Sequence, residues 1–338
     1  MRQIHLDLPM TSGSISRFLE FLTPIWGRVL QRQAVSSDEN FLDFGGPPEA
    51  AMELFTEIGR LYGREICPLL IYQAPTLLKL AGVLDHPEPP AVASLLPLNT
   101  ASGRPPIFIG HGIGGTVMGF SQLVQSLRSP LAIYGMQAKG VDGRHPPFDR
   151  IEDMALYHLE SIRRLQPRGP YFLIGYSLGG NVSIEIARRL MESGQEIGLL
   201  ILLDSYPDIR QLKLRQRVRL TWQRAKQRAS ALRHGPRSRQ KASDLHMFPA
   251  MRSALNRVIA AQYEALRRYK PSFYPGKIVF VRASKISHFP DNPRAVWGHL
   301  VREIEFHSVP CDHQSMLTTH ADMIAAIIQR CLQTALAA

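Results

Sequence analysis

The sequence has few cysteines and no long uncharged hydrophobic run. Its 338 residues include three cysteines, Cys67, Cys311 and Cys331, which are widely separated and odd in number. This argues against a disulfide framework and predicts a protein of the reducing cytoplasm. The first residues, MRQIHLDLPMTSGS, have no apolar core, so we expect no signal peptide. No uncharged apolar run reaches the roughly 18 residues that a membrane-spanning helix needs.

Negative charge is missing from one segment. Between Ile209 and Ser243 there is no Asp or Glu, whereas twelve Lys or Arg residues occur there. These twelve cations equal the net charge of the whole chain, which is +12. The remainder of the chain is therefore balanced. We call residues 210–241 the basic segment.

The pattern of apolar residues divides the chain into two parts. Residues 15–85 show helical periodicity without convincing strands, and residues 86–105, rich in Pro, Ala and Ser, predict a linker. From residue 106 to 338, apolar runs alternate with amphipathic helical stretches, which predicts an α/β fold with a mostly parallel sheet and helices on both faces. Residues 208–270 interrupt this alternation as a helical insertion. The predicted strands are 107–109, 131–136, 171–175, 199–203, 277–281 and 304–309.

The strongest motif is GYSLGG at 175–180, between the apolar run YFLIG and a helical stretch. G-x-S-x-G in this position is typical of the nucleophile elbow of α/β-hydrolases. The tight turn would place the hydroxyl of Ser177 at the carboxyl end of the sheet. It would also direct the N–H of Leu178, at a helix N-terminus, towards developing negative charge. The alternative is an ordinary glycine-rich turn, but the context predicts that Ser177 is a nucleophile.

Candidate partners follow Ser177 in the order acid and then histidine. His313, after the last predicted strand, is the candidate base, because imidazole takes and returns a proton near neutral pH. Asp204 directly ends a predicted strand and is favoured as the acid over Asp291, which lies well beyond its strand. Asp312 adjoins the histidine in sequence, where side chains rarely face one another, and is interpreted as a loop carboxylate.

The loop GHGIGGTV at 110–117 follows the first strong strand. Gly114 and Gly115 permit its backbone to turn inward, and Ile113 is the candidate for the second N–H of an oxyanion hole, beside Leu178. A phosphate-binding loop is the competing interpretation, but the segment lacks the lysine and the spacing of a P-loop. Neither this loop nor the other motifs indicate a metal or a bound cofactor.

Residues 95–335 resemble the thioesterase domains of nonribosomal peptide and polyketide synthases. The matching segments are SLLPLNTASGRPPIFIGHGIGG, IYGMQAKGVDG, the long stretch through GYSLGG to LLILLDSYP, YKPSFYPGKIVFVRA and VPCDHQSML. The resemblance implies an α/β-hydrolase fold in which Ser177, Asp204 and His313 form the catalytic triad. It also implies that the insertion 208–270 is a lid over the acyl pocket.

Two positions depart from that family. Gly112 stands where the family often has Pro, and Cys311 stands where it often has Gly. Neither departure removes a triad member. A cysteine would strain the histidine loop if a positive φ were needed there, and is otherwise expected to be a small buried apolar residue.

The N-terminal region 15–85 resembles a peptidyl or acyl carrier domain in the segments IWGRVL, DENFLDFGG and IYQAPTLLKLAGVL. Carriers attach their phosphopantetheine arm to a serine two residues after the glycine pair, and Pro48 occupies that position. No Ser or Thr occurs between Asp38 and Leu54. The resemblance therefore predicts a carrier-like helical bundle without carrier chemistry.

The resemblance implies a thioesterase that releases an acyl or peptidyl chain from a phosphopantetheine or CoA thioester, by hydrolysis or cyclisation. The substrate would arrive on a carrier protein or synthetase module supplied in trans. An acyltransferase that passes the acyl group to an amine or alcohol is one alternative, and a non-catalytic docking scaffold is another.

The basic segment admits several interpretations. A solvated lid face is the simplest. Docking of an acidic carrier protein comes next, because opposite charge would speed the encounter. An anionic membrane surface is a further alternative. We expect no nucleic acid, since no known motif or interleaved aromatic residues accompany the charge.

Overall fold

The computed structural model describes residues 12–44, 47–63, 65–208, 218, 249–285 and 292–337. The chain divides into two compact units, and the second begins at Ala93. The basic segment, apart from Val218, lies outside the described residues, as does Asp291. Among the helices described, none is both long enough and apolar enough to cross a membrane.

The first unit is helical in its described residues. Its helices are α1 (Ser12–Val29), α2 (Pro48–Tyr62) and α3 (Leu77–Asp85), with 3-10 helices at Phe41–Phe44 and Pro68–Tyr72. Trp26 and Phe41 are fully buried and pack edge to face, with ring centroids 5.7 Å apart. Helix α2 begins at Pro48, whose missing N–H would have had no intrahelical acceptor at that position. Gly63, which follows its last residue and has φ 65°, caps its C-terminus.

A mostly parallel sheet lies at the centre of the second unit. Its order is β1-β3-β2-β4-β5-β6-β7, and β1 alone runs antiparallel to its neighbour. The α/β prediction is confirmed, and each predicted strand lies within an observed one. The strands are β1 (Leu95–Pro97), β2 (Gly103–Gly110), β3 (Leu131–Met136), β4 (Tyr171–Tyr176), β5 (Ile197–Leu203), β6 (Tyr274–Ala283) and β7 (Val301–Val309).

Helices flank this sheet and bury its apolar strands. Phe108, Leu173, Leu202 and Phe280 are fully buried strand residues of the core that the helices cover. Continuous burial along β4 explains why these strands are apolar at successive positions rather than at alternate ones. The helices are α4 (Ser121–Leu127), α5 (Ile151–Leu165), α6 (Leu178–Glu192), α7 (Pro249–Arg268), α8 (Pro293–Trp297) and α9 (Ala321–Ala337).

Part of the predicted linker belongs to the sheet. Residues 95–97 form β1, in which Leu96 is fully buried and pairs with Gly135 of β3. A strand of three residues between proline-rich stretches is too short for a periodic pattern to reveal it. The described end of the predicted insertion 208–270 is helix α7. This helix buries one face on the second unit, formed by Ala254, Val258, Gln262 and Ala265.

Candidate active site

Ser177 lies in a strained turn between β4 and α6. Its φ of 54° and ψ of −119° are rare for a residue other than glycine. The surrounding glycines permit this turn because backbone passes close to them. A Cβ on Gly175 would come closer than 3.0 Å to Gly180, and a Cβ on Gly179 equally close to Gly110. The turn therefore presents the serine at the carboxyl end of the sheet, at the start of a helix.

Asp204 and His313 form a hydrogen-bonded pair at this edge of the sheet. His313 Nδ1 lies 2.8 Å from Asp204 Oδ2. Asp204 is fully buried, has φ 44°, and accepts through Oδ1 from the N–H of Ala283 at 3.3 Å. The N–H of Ser177 donates to the carbonyl of Leu203 at 3.0 Å, directly before Asp204 in the chain. The three predicted residues thus follow the carboxyl ends of β4, β5 and β7, all at one edge of the sheet.

The other carboxylate near the histidine has a local role. Asp312 Oδ1 accepts from the N–H groups of Gln314 at 3.0 Å and Ser315 at 2.9 Å. The hydrogen bond from the Ser315 backbone is the main cause that lowers the pKa of the Asp312 carboxyl. This matches the interpretation of Asp312 as a loop carboxylate. The competing acid, Asp291, lies outside the described residues.

Tyr176, between the motif glycine and Ser177, contacts His313 in two ways. Its ring stacks on the imidazole with centroids 4.8 Å apart and planes at 21°. Its hydroxyl donates to the carbonyl of His313 at 2.9 Å. Burial, together with the nearby Asp204, raises the pKa of the Tyr176 hydroxyl well above its usual range, so that it remains a donor at neutral pH. Tyr176 therefore contacts both the imidazole ring and the backbone carbonyl of His313.

The loop after β2 is held by two buried glutamines. Gly114 and Gly115 have φ of 109° and 75°, conformations that favour glycine. The N–H of Gly114 donates to Gln262 Oε1 at 2.9 Å, and the carbonyl of Gly115 accepts from Gln137 Nε2. Among the described residues, the N–H of Ile113 has no acceptor. The N–H of Ile113 is therefore free to meet a ligand, whereas that of Gly114 is already bound.

Two buried histidines lie near each other here, His111 within this loop and His158 on α5. The rings of His111 and His158 are 6.2 Å apart, and His111 Nδ1 lies 2.8 Å from the carbonyl of Gly112. Burial lowers the pKa of His111 to about 4 and that of His158 to about 3, with His111 adding to the effect on His158. Both imidazoles are therefore neutral at pH 7 and act as packed polar groups.

The two departures from the family pattern are accommodated. A Cβ on Gly112 would lie 2.9 Å from ring carbons of Tyr176 and 3.4 Å from Cβ of Ser177, so the missing side chain leaves room for the tyrosine. Cys311 is fully buried and is not among the described residues with positive φ, so its side chain causes no backbone strain in the histidine loop. Burial raises the pKa of its thiol to about 11, which keeps it neutral.

A separate group of side chains has the composition of a metal site. The candidate ligand atoms of Glu305, His307 and Cys331, on β7 and α9, lie within 4.8 Å of one another. Glu305 already pairs with His307 Nε2 at 2.8 Å and with Lys277 Nζ at 2.8 Å. The group includes no residue of the Ser177 site, and its carboxylate is already neutralised by a lysine.

Sequence reasoning does not identify Tyr176 or Gln262. For Tyr176 the sequence contained a signal, because any residue between Gly175 and Ser177 must lie beside the predicted nucleophile. For Gln262 the sequence contained no such signal, since 148 positions separate it from Gly114 and nothing in its helix distinguishes it from other polar residues.

Comparisons with known proteins identify the family of the second unit. A family model described as "Thioesterase domain" matches residues 105–332. The chain is 36% identical over 190 residues to a dimodular nonribosomal peptide synthase of Bacillus subtilis (strain 168), covering 56% of this chain and 8% of that protein. It is 29% identical over 304 residues to malpibaldin synthetase of Mortierella alpina, covering 87% of this chain and 5% of that protein. The chain thus corresponds to a small part of each relative.

Solved structures show the same fold. Holo-AB3403, a four-domain nonribosomal peptide synthetase bound to AMP and glycine, matches 98% of this chain and 27% of its own, with a TM-score of 0.59 and 21% identity. The Vlm2 thioesterase domain matches 70% of this chain and 96% of its own, with a TM-score of 0.52 and 24% identity. The second unit therefore has the architecture of α/β-hydrolase thioesterase domains.

Proposed function

The chain belongs to the thioesterase domain family of hydrolases found in nonribosomal peptide synthetases, and on this premise we propose that it releases an acyl or peptidyl chain from a phosphopantetheine thioester through an acyl-enzyme on Ser177. The observation that carries the proposal is the hydrogen bond of 2.8 Å between His313 Nδ1 and Asp204 Oδ2, beside the strained turn of Ser177. These residues come from three separate loops at one edge of the sheet, as a serine-based acyl transfer requires.

Acylation begins with attack of Ser177 Oγ on the thioester carbonyl carbon. His313 accepts the hydroxyl proton through Nε2, because Nδ1 faces Asp204. The buried carboxylate orients the imidazole and stabilises the imidazolium that forms. The tetrahedral intermediate then collapses as the C–S bond breaks, and His313 returns the proton to the sulfur. The phosphopantetheine thiol leaves and an ester to Ser177 remains.

Deacylation repeats these proton transfers with a new nucleophile. Water, or a hydroxyl or amine within the acyl chain, loses a proton to His313 as it attacks the ester carbonyl. The C–O bond to Ser177 breaks and the serine oxygen regains the proton. Water yields a free acid, whereas an internal nucleophile yields a ring.

Both steps place negative charge on the former carbonyl oxygen. The N–H groups of Leu178 and Ile113 are the proposed donors to this oxygen. Leu178 is the first residue of α6, where an N–H has no intrahelical acceptor and the helix dipole favours negative charge. Donors of this kind typically contribute about 100-fold to 1,000-fold in rate each.

The first prediction concerns Ser177. A fluorophosphonate should label the wild-type protein stoichiometrically, and the Ser177→Ala variant should show neither labelling nor thioester cleavage above the uncatalysed rate. Intact-mass spectrometry after incubation with acyl-loaded carrier protein measures both the label and the acyl-enzyme. Ser193→Ala, at the other end of the same helix, is the matched control and should behave as wild type. Equal labelling of Ser177→Ala would contradict the assignment.

Analysis of the reaction products distinguishes release of the acyl chain from its transfer to another molecule. Product analysis with and without an added amine distinguishes hydrolysis or cyclisation from acyl transfer to an external acceptor. An amide that forms in proportion to the amine would favour the acyltransferase alternative. A protein that is never labelled would favour a docking scaffold.

We propose that the first unit is carrier-like but bears no phosphopantetheine. In support, this unit is helical, and α2 begins at Pro48, where a carrier would have its serine. A proline has no hydroxyl to modify, so the substrate would arrive on a carrier in another module or protein, or as a soluble thioester. The lengths of the relatives, which extend far beyond this chain, are consistent with such modules.

A further inference from the structure

We propose that Gln262, on helix α7, is a positioning residue that holds the loop 110–117, which we call the oxyanion loop, in its active conformation. This inference rests on the proposed function, since it concerns how the donor N–H of Ile113 is aimed. It adds a residue outside the catalytic set, on a helix that follows the basic segment in the chain.

The geometry of Gln262 is that of a backbone support. Its side chain is 1% exposed, and its Oε1 accepts from the N–H of Gly114 at 2.9 Å. Gly114 directly follows Ile113 and has φ 109°. A hydrogen bond to the next N–H fixes the peptide plane that follows Ile113, and therefore limits the directions in which its own N–H can point.

The bond also removes the N–H of Gly114 as a competing donor. If the N–H of Gly114 were not occupied by Gln262, it would compete with Ile113 for the substrate oxygen. The opposite side of the loop is fixed by Gln137, whose Nε2 donates to the carbonyl of Gly115 and whose Oε1 accepts from the N–H of Val117 at 3.1 Å. Gln262 and Gln137 thus bind the loop at Gly114, Gly115 and Val117, whereas the N–H of Ile113 has no acceptor among the described residues.

Packing alone does not explain a glutamine at position 262. Its Nε2 is buried and has no hydrogen-bond partner among the described residues, which is unfavourable in an apolar setting. Methionine would fill a similar volume without that cost. What methionine cannot supply is an acceptor for Gly114. The role of Gln262 is therefore to accept the hydrogen bond from the loop, not to fill the core.

The contact also joins the loop to one helix face. Val258, one turn before Gln262 on α7, packs closely on Gly115. A Cβ added to Gly115 would lie 2.7 Å from Cγ1 of Val258. The buried face of α7 and the oxyanion loop therefore keep one relative position. A change in the position of this helix would reach the loop through these two side chains.

The test compares Gln262→Met with wild type on soluble acyl N-acetylcysteamine thioesters that the wild type cleaves. We expect kcat to fall about 10-fold to 100-fold, less than the loss on deleting a donor outright, with KM unchanged. The affinity for phenylboronic acid, which forms a tetrahedral adduct with a reactive serine, should fall by a similar factor. Gln333→Met, an exposed glutamine on α9, is the matched control and should match wild type.

A second variant covers the case in which Gln262→Met does not fold. Gln262→Asn is shorter by one methylene, so its carbonyl cannot reach Gly114, and it should show the same loss of kcat with KM unchanged. Wild-type kcat and boronate affinity in a folded variant would overturn the inference. So would a rise in KM with kcat unchanged, which would indicate contact with substrate. If wild type itself is neither labelled by fluorophosphonate nor active, the proposed function fails, whatever the variants do.

Discussion

At the scale of single residues, Ser177 and Asp204 share a positive φ, of 54° and 44°. Such conformations cost on the order of 1–3 kcal/mol each in residues other than glycine. They persist because the sheet hydrogen bonds continue to both residues: the N–H of Ser177 donates to the carbonyl of Leu203, and the N–H of Asp204 to the carbonyl of Val281. The strain falls on the two residues whose side chains must leave the sheet at its carboxyl edge.

Tyr176 carries a prediction at this scale, because it touches both the ring and the backbone of His313. Tyr176→Phe removes the hydrogen bond of 2.9 Å but keeps the stacked ring, and should lower kcat several-fold, in line with about 1 kcal/mol for such a bond. Tyr176→Leu removes both contacts and should lower kcat further. Steady-state kinetics on a soluble thioester provides the measurement, with KM expected to stay constant.

Tyr134→Phe is the control for Tyr176→Phe, because Tyr134 is a half-buried tyrosine of β3 outside the site. Its kcat should equal that of wild type. Full activity of Tyr176→Leu would show that the histidine is held by Asp204 without help from the tyrosine.

The buried histidines make stability depend on pH. The folded-state pKa values of about 4 for His111 and about 3 for His158 lie below the value of about 6.5 for an exposed histidine. Between these values the unfolded chain binds more protons than the folded one, so stability is full above pH 6.5 and is lost as the pH falls towards 4. The slope is at most about 1.4 kcal/mol per pH unit for each histidine.

His158→Phe should therefore reduce this acid sensitivity. Urea unfolding of the variant between pH 7 and 4.5, compared with wild type, should show a shallower fall of the unfolding free energy with pH. His299→Phe is the control, because His299 is exposed and its replacement should leave the slope unchanged. An identical slope in His158→Phe would mean that this histidine is protonated in the folded state.

At the scale of elements, the register of the strands assembles the site. Gly110 of β2 pairs with Gly175 of β4, and Gly175 pairs with Leu202 of β5. The oxyanion loop, the Ser177 turn and the Asp204 turn therefore emerge side by side at the carboxyl ends of three adjacent strands. This is where open α/β sheets place their ligands.

Helix α2 carries the prediction at this scale. Incubation with a promiscuous phosphopantetheinyl transferase and CoA should add no mass to the first unit, because Pro48 offers no hydroxyl at the start of the helix. Intact-mass spectrometry with peptide mapping is the measurement, and an active carrier protein in the same tube is the positive control. A mass gain that maps to this helix would contradict the assignment of the first unit as unmodified.

At the scale of the whole molecule, the distribution of charge is the distinctive feature, since the positive charge of the basic segment equals the net charge of the chain, +12. We expect Gln substitution of Arg215, Arg217 and Arg219 to lower kcat/KM for acyl groups on an acidic carrier by several-fold at low salt. The loss should fade at high salt, as electrostatic steering does. Activity on soluble thioesters should not change.

The control for this charge variant replaces three exposed arginines of the second unit outside the basic segment. We choose Arg144, Arg168 and Arg302, each replaced by Gln. This control variant removes the same amount of positive charge from another part of the surface. Its kcat/KM should stay close to that of wild type for both carrier-bound and soluble substrates. Equal losses on both kinds of substrate in the basic-segment variant would count against carrier docking and favour a solvated face.

The local elements of this protein were predictable because their causes are local. The apolar run 199–203 determines a strand, the glycines around Ser177 determine a turn, and Pro47 and Pro48 determine the start of α2, each within a few residues. Strand β1 was not predictable, since three residues in a proline-rich stretch are held by pairing with β3 rather than by their own pattern.

By itself the sequence determined the α/β alternation, the glycine-flanked turn at Ser177 and the order of Ser177, Asp204 and His313, because periodicity and turn chemistry act over neighbouring residues. Only the tertiary structure decided which groups meet. It placed His313 against Asp204 across 109 positions, stacked Tyr176 on the imidazole, and brought Gln262 to Gly114 across 148 positions. Hydrogen bonds act over about 3 Å, and that proximity depends on how the strands and helices pack, which no short pattern encodes.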